Sequence, residues 1–181
     1  MKMTDNSHQF GLVSILLHWT LAIMIIGLFI VGNILEGMPK GPDKGQLMGL
    51  HQSMGMLVLM LVLVRLIWRI RQGFPAPLNT QAKLLNRIAK LWHWALLIII
   101  VAIPLTGYLA ADAGPRSVAF FGWFNWPDLI EPTRGLRKQL GGLHGTLNKL
   151  MMPLVLIHIL AAFKHHFWNR DATLKRMLGK S

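Results

Sequence analysis

Residues 142–168 read GLHGTLNKLMMPLVLIHILAAFKHHFW, and from Gly142 to Phe163 Lys149 is the only Asp, Glu, Lys or Arg. A bilayer core takes roughly 20 apolar residues as a helix, so this run is long enough to cross one. His144 and His158 stand fourteen residues apart within it. At 3.6 residues per turn that is nearly four turns, so both face the same way, about 21 Å apart along the axis. Ionisable side chains inside a span are costly and usually serve a purpose. Two of them in register on one membrane helix predict two polar sites stacked across the bilayer.

Outward from this segment the pattern repeats. No Asp, Glu, Lys or Arg occurs between Asp5 and Glu36, within Gly45–Val64 or within Leu91–Ala111. The chain of 181 residues, 53% hydrophobic and 14% charged, thus predicts an all-α integral membrane four-helix bundle forming a single domain over residues 1–181. The expected helices are about 10–35, 45–69, 91–111 and 139–168. Gln81–Lys90 is expected as a short basic amphipathic stretch at the membrane surface before the third helix. Gly73, Pro75 and Pro77 break the connection before it. Pro104 should kink the third helix, and Pro153 frees the carbonyl of Lys149. The first run is too long for a signal-peptide core and reads as a retained helix.

The net charge of +12 does not indicate nucleic acid, because the basic residues lie in loops between apolar spans. They orient the bundle instead. The N-terminal tail, the 65–90 region and the tail from Lys164 carry twelve Lys and Arg against two acids; loops 36–44 and 112–138 carry six against five. Both termini are therefore expected in the cytoplasm. Trp123, Phe124 and Trp126 suit a segment resting at the opposite interface.

Cysteine is absent. That excludes disulfides, thiolate metal sites, iron–sulfur ligation and covalent c-type haem attachment, leaving histidine, methionine or other non-thiol ligands for any haem. Helix bundles build such sites from side chains on facing helices. A second ligand must lie level with each histidine of the fourth helix. His18 opens the first helix at the inner side, level with His158; His51 opens the second at the outer side, level with His144. The pairs His18–His158 and His51–His144 follow from topology, with neutral imidazoles as iron ligands of two b-type haems. Arg65, fourteen residues after His51, shares its face at the depth of the inner haem, where a propionate is a natural partner. His93, three residues past Lys90, is a rival inner ligand expected to sit shallower. His8, His165 and His166 lie at the inner ends, and Met151 and Met152 read as packing. Leu17-His18-Trp19 and Trp92-His93-Trp94 echo each other across two helices.

Together these residues resemble the bacterial cytochrome b561 family of short dihaem membrane proteins. The likeness rests on His18-Trp19, on His51 and Gly55 in the second helix, and on Val64-Arg65-Leu66 closing that helix. His144, His158 and His165-His166-Phe167-Trp168 complete it, so it covers nearly the whole chain. The resemblance implies a four-helix electron carrier of the bacterial inner membrane, with two haem b and ubiquinone as electron acceptor. It also implies a neutral residue where Lys149 stands. Some members are similar to superoxide oxidases, which implies a superoxide:quinone oxidoreductase. Arg134, Arg137 and Lys138, just before His144, form a basic outer rim suited to drawing in a small anion. A membrane-anchor subunit relaying electrons between quinone and a dehydrogenase or hydrogenase is the alternative, although the short loops require no protein partner. A haem-free transporter with a histidine proton relay is a third.

Overall fold

Each apolar run becomes a helix. The computed structural model describes residues 2–78, 81–115 and 117–180. Its elements are α1 (Leu12–Gly37), α2 (Pro42–Gln72), α3 (Lys83–Asp112), a short antiparallel hairpin of β1 (Ala119–Phe120) and β2 (Phe124–Asn125), α4 (Arg134–Phe163), a π-helical turn (Lys164–Trp168) and α5 (Thr173–Met177). Helices α1, α2 and α3, together with α4 and its π-helical continuation, are each long and apolar enough to span a membrane. Four crossings return both ends of the chain to one end of the bundle, the terminal end, opposite the loop end formed by residues 38–41, 113–115 and 117–133.

Local chemistry sets the boundaries. Pro42 stands at the start of α2 with Asp43 in its first turn, while Arg69 and Arg71 occupy its last. These residues suit the missing amide partners and the dipole of each end. Gly73 closes the helix at φ 67°, donating its N–H to Arg69 O at 3.0 Å.

Two expectations are corrected here. Lys83–Lys90 is not a separate surface stretch: α3 runs unbroken from Lys83 through Pro104 to Asp112. No glycine or proline interrupts the sequence between Lys83 and Leu91, so nothing stops the helix there. Helix α4 begins at Arg134, five residues earlier than expected, and its α-helical part ends at Phe163. Residues 164–168, expected as α-helix, wind more loosely as the π turn.

Leu21 and Val62 are fully buried, and Met56, Val58, Leu59, Leu97, Tyr108 and Val118 complete the core around them. Large apolar side chains such as Ile23 and Ile98 point outward, as lipid-facing residues of a small bundle must. Helix α4 packs chiefly along α3, whereas α1 and α2 pack on each other and α2 on α3. The backbone of α4 thus keeps away from α1 and α2, and side chains must bridge that space.

Both ends are tied by polar contacts that sequence pattern does not reveal. At the loop end, buried Ser53 of α2 accepts the Phe121 N–H at 2.9 Å, pinning the hairpin to the bundle. At the terminal end, Asp5 accepts the Gly11 N–H at 2.7 Å, the Ser14 hydroxyl at 2.8 Å and the Arg69 guanidinium at 3.0 Å. Arg69 also bonds the Gly73 carbonyl and lies over the rings of Phe10 and Phe74. The C-terminal segment closes over the same end, where Trp19 donates to Met177 O and Arg176 to Ala76 O.

Candidate functional site

The histidines of α4 meet partners from the far side of the space between helices. At the loop end the ring centroids of His51 (α2) and His144 (α4) lie 6.4 Å apart. At the terminal end those of His18 (α1) and His158 (α4) lie 6.2 Å apart. All four rings are half-buried. Both pairs expected from topology are therefore brought together.

The spacing is informative. A metal–imidazole bond is about 2.0 Å, and a ring nitrogen lies about 1.2 Å from its centroid, so two imidazoles sharing one iron have centroids about 6.4 Å apart. Both spacings would suit a metal held between the two rings.

The loop-end pair is ready for such a group. His144 Nδ1 lies 2.8 Å from Ile103 O, so it donates to that carbonyl and leaves Nε2 free as a ligand. His51 Nδ1 is buried with no hydrogen-bond partner among the described residues. A small cavity of about 50 Å³ lies against both rings, lined by Ile25, Phe29, Val58, Ile103, Pro104 and Met151 among others. Gly107 gives the His144 ring its place: a Cβ there would lie 2.9 Å from ring atoms. Sequence reading passed over Gly107. A glycine one turn past Pro104 inside an apolar span was the available signal.

The terminal-end site is more crowded. Arg65 NH2 lies 3.0 Å from His18 Nδ1. Arginine only donates, so His18 Nδ1 accepts and its proton resides on Nε2. His93 also reaches this site, its centroid 5.5 Å from that of His158 and its Nδ1 2.5 Å from Ala89 O. The ring contact sets His93 level with His158 in the bundle. Its spacing to His158 is nevertheless shorter than a shared iron requires, and its side is exposed.

The other named residues lie as follows. Arg134, Arg137 and Lys138 are exposed on the opening turns of α4, rather than in the preceding loop. Arg137 stands two turns before His144 on the same face, its guanidinium 3.4 Å from where a Gly114 Cβ would sit. Lys149 is exposed midway along α4, and Met151 is buried. His165 Nδ1, in the π turn, sits 2.5 Å from Oδ2 of Asp171, which lies beyond the span. Partial burial there would raise the Asp171 carboxyl, but hydrogen bonds from His165 and Thr173 outweigh it and hold the group below the usual carboxylate range.

Four spans and paired half-buried histidines define a membrane cytochrome b. A family model for prokaryotic cytochrome b561 matches residues 9–180, and the chain belongs to that family. It is 32% identical over 188 aligned positions to "Cytochrome b561 homolog 2" of Escherichia coli K12, covering 100% of this chain and 97% of that protein. It is 27% identical to "Cytochrome b561 homolog 1" of the same organism, with 94% and 97% covered. Its identity to "Probable superoxide oxidase CybB" of Yersinia pestis is 24%, over 95% of this chain and 97% of that protein. Membership makes the protein a multi-pass membrane cytochrome with b-type haem, acting in electron transfer.

Proposed function

We propose that this chain carries electrons across the bacterial inner membrane through two b haems, oxidising superoxide at the loop end and reducing ubiquinone at the terminal end. His51 and His144 hold one haem, His18 and His158 the other. The observation that carries this reading is the matched pair of centroid spacings, 6.4 and 6.2 Å, built on histidines fourteen residues apart on α4. The excess of Lys and Arg at the terminal end supports a cytoplasmic position for that end.

Bound haem supplies a one-electron iron couple. The chain's residues supply the rest. The Ile103 carbonyl fixes the tautomer of His144 and presents its Nε2. For His18 to offer Nε2, its proton must move to Nδ1, and Arg65 must then leave it. A haem propionate would then be a fitting acceptor for the freed guanidinium. Arg134, Arg137 and Lys138 raise the local concentration of anions at the loop end. Each superoxide gives up one electron and leaves as dioxygen, while ubiquinone takes up two electrons and two protons. The superoxide reading also draws on the 24% likeness to the Yersinia pestis protein.

His93 as the partner of His158 is a second assignment, favoured by its bond to the Ala89 carbonyl. Alanine replacement tests both at once. His18→Ala should remove the same haem that His158→Ala removes, and His93→Ala should leave it in place. Loss of that haem in His93→Ala with retention in His18→Ala would reassign the ligand. Purified protein given a superoxide source should become reduced and pass electrons to a soluble ubiquinone; no reduction of intact dihaem protein would remove superoxide as donor.

A further inference from the structure

Lys149 is the only Asp, Glu, Lys or Arg between Gly142 and Phe163, and neither histidine pair uses it. Lys138 stands eleven residues before it on α4 and Lys164 fifteen residues after, about 16 and 22 Å along the axis. A hydrocarbon core is about 30 Å thick, so Lys149 leaves the helix near the middle of the bilayer. Lysines near helix ends can snorkel to the interface; one at this depth is costly in lipid, and such charges ordinarily pair.

This chain offers it no partner. Lys149 is exposed and makes no ion pair among the described residues. Five residues past His144 is about 140° round the helix, and nine before His158 about 180°, so Lys149 faces away from the histidine side of α4. All seven Asp and Glu stand in tails, loops or the end turns of helices. Neither this chain nor a second copy of it therefore presents a carboxylate at that depth. Phospholipid phosphates lie at the headgroup level, half a bilayer away.

The surface around Lys149 is open. Helix α4 packs chiefly along α3, and Gly142, Thr146, Lys149 and Pro153 are exposed along one stripe at helical spacing. A Cβ at Gly142 would meet nothing within 4 Å, and small residues let a second helix approach closely. The Thr146 hydroxyl donates to Gly142 O at 3.0 Å and is spent within its own helix. Pro153 has no N–H for the Lys149 carbonyl, so the same spot is polar in its backbone as well. We infer that this face of α4 docks a transmembrane helix of a different membrane protein, one carrying an Asp or Glu near mid-span that pairs with Lys149. Charge complementarity selects this occupant, because a second copy would bring only another lysine to the same depth. The docking face lies away from both histidine pairs and does not depend on the electron-transfer reading.

Photocrosslinking of the full chain in the membranes of its native host tests this. Leu156 lies two turns beyond Lys149 on the same face and is 56% exposed, so a photoreactive benzoylphenylalanine in its place reports what covers the stripe. Leu150, beside Lys149 and 53% exposed, is the second probe position should the first disturb folding. The crosslinked product, sequenced by mass spectrometry, should be a membrane protein with an Asp or Glu near the middle of a span. Its yield should fall about tenfold or more in Lys149→Leu, which strands the partner's acid in lipid, and should hold in Lys149→Arg. The haem spectrum of Lys149→Leu should match that of the parent, so failure of the docking face and failure of the haem sites are told apart. Adducts to lipid alone, to a second copy of this chain or to a protein with no acid inside its spans would overturn the inference. So would a crosslink whose yield Lys149→Leu leaves unchanged.

Discussion

The two histidine sites sit on one helix and are built differently. At the loop end, His144 is already posed by the Ile103 carbonyl, His51 has an orphaned buried nitrogen, and a small cavity lies against both rings. At the terminal end, His18 is engaged by Arg65, and the tails close over it through the Asp5–Arg69 pair and Trp19. The loop-end site is lined mainly by apolar side chains, whereas the terminal-end site is a polar cluster in which Arg65 bonds His18 and Arg69 pairs with Asp5. Equal ring spacing can therefore arise from opposite local solutions. The difference predicts that the loop-end haem depends on space and the terminal-end haem on rearrangement.

The largest effects should come from the ligands. His144→Ala should lower the haem content from two per chain to one, read by absorbance per mole of protein, and His51→Ala should do the same. Loss of both haems from either variant would show that the sites are not separable.

Next is Gly107→Val. Its Cβ would meet the His144 ring at 2.9 Å, with two methyl groups beyond it. Overpacking of this kind costs about 1–3 kcal/mol, and here the strain falls on a ligand. The expected outcome is loss of the loop-end haem signal with the terminal-end signal retained. Equal weakening of both would instead indicate general unfolding of the bundle.

Asp5→Ala probes the terminal end. It strands a buried guanidinium whose side chain is 8% exposed, and breaking such a pair costs about 3–5 kcal/mol, reduced here by the Gly73 and Ser14 contacts of Arg69. Thermal release of haem should begin at lower temperature for the terminal-end haem alone, followed by the split of the two absorption bands on heating. Unaltered release of that haem would mean that the N-terminal clasp does not support the site.

The smallest effect expected is the triple change Arg134→Gln, Arg137→Gln, Lys138→Gln. Both haems should stay in place. Reduction by superoxide should slow severalfold at low salt and converge on the parent rate near 0.15 M, where charges separated by more than about 8 Å are screened. Ubiquinone reduction by pre-reduced protein should not change. Identical superoxide kinetics at low salt would remove electrostatic steering from the account.

Much of this arrangement is legible in the sequence because membrane helices leave a strong signal. Long runs without charge fix four spans, and a fourteen-residue interval fixes a shared face, so both histidine pairs can be read by depth. Helix ends are harder. Lys83–Lys90 looked like a surface stretch because hydropathy falls there, yet hydrogen bonding carries the helix on where nothing breaks it. His93 looked shallow for its nearness to Lys90, yet its ring lies against that of His158. The Arg65–His18 contact is not legible, since a sequence shows which residues share a level and not which neighbouring side chain a guanidinium touches. The roles of Ser53 and of the Asp5–Arg69 pair were invisible. Each depends on contacts between segments far apart in the chain, with no periodicity to announce them.

The most direct test of the central claim is haem quantified per chain in purified protein, with a reduced-minus-oxidised spectrum of the parent and of His158→Ala and His144→Ala. The account predicts two b haems in the parent and one in each variant, with different bands lost in the two cases. One haem in the parent, or the same band lost from both variants, would contradict it.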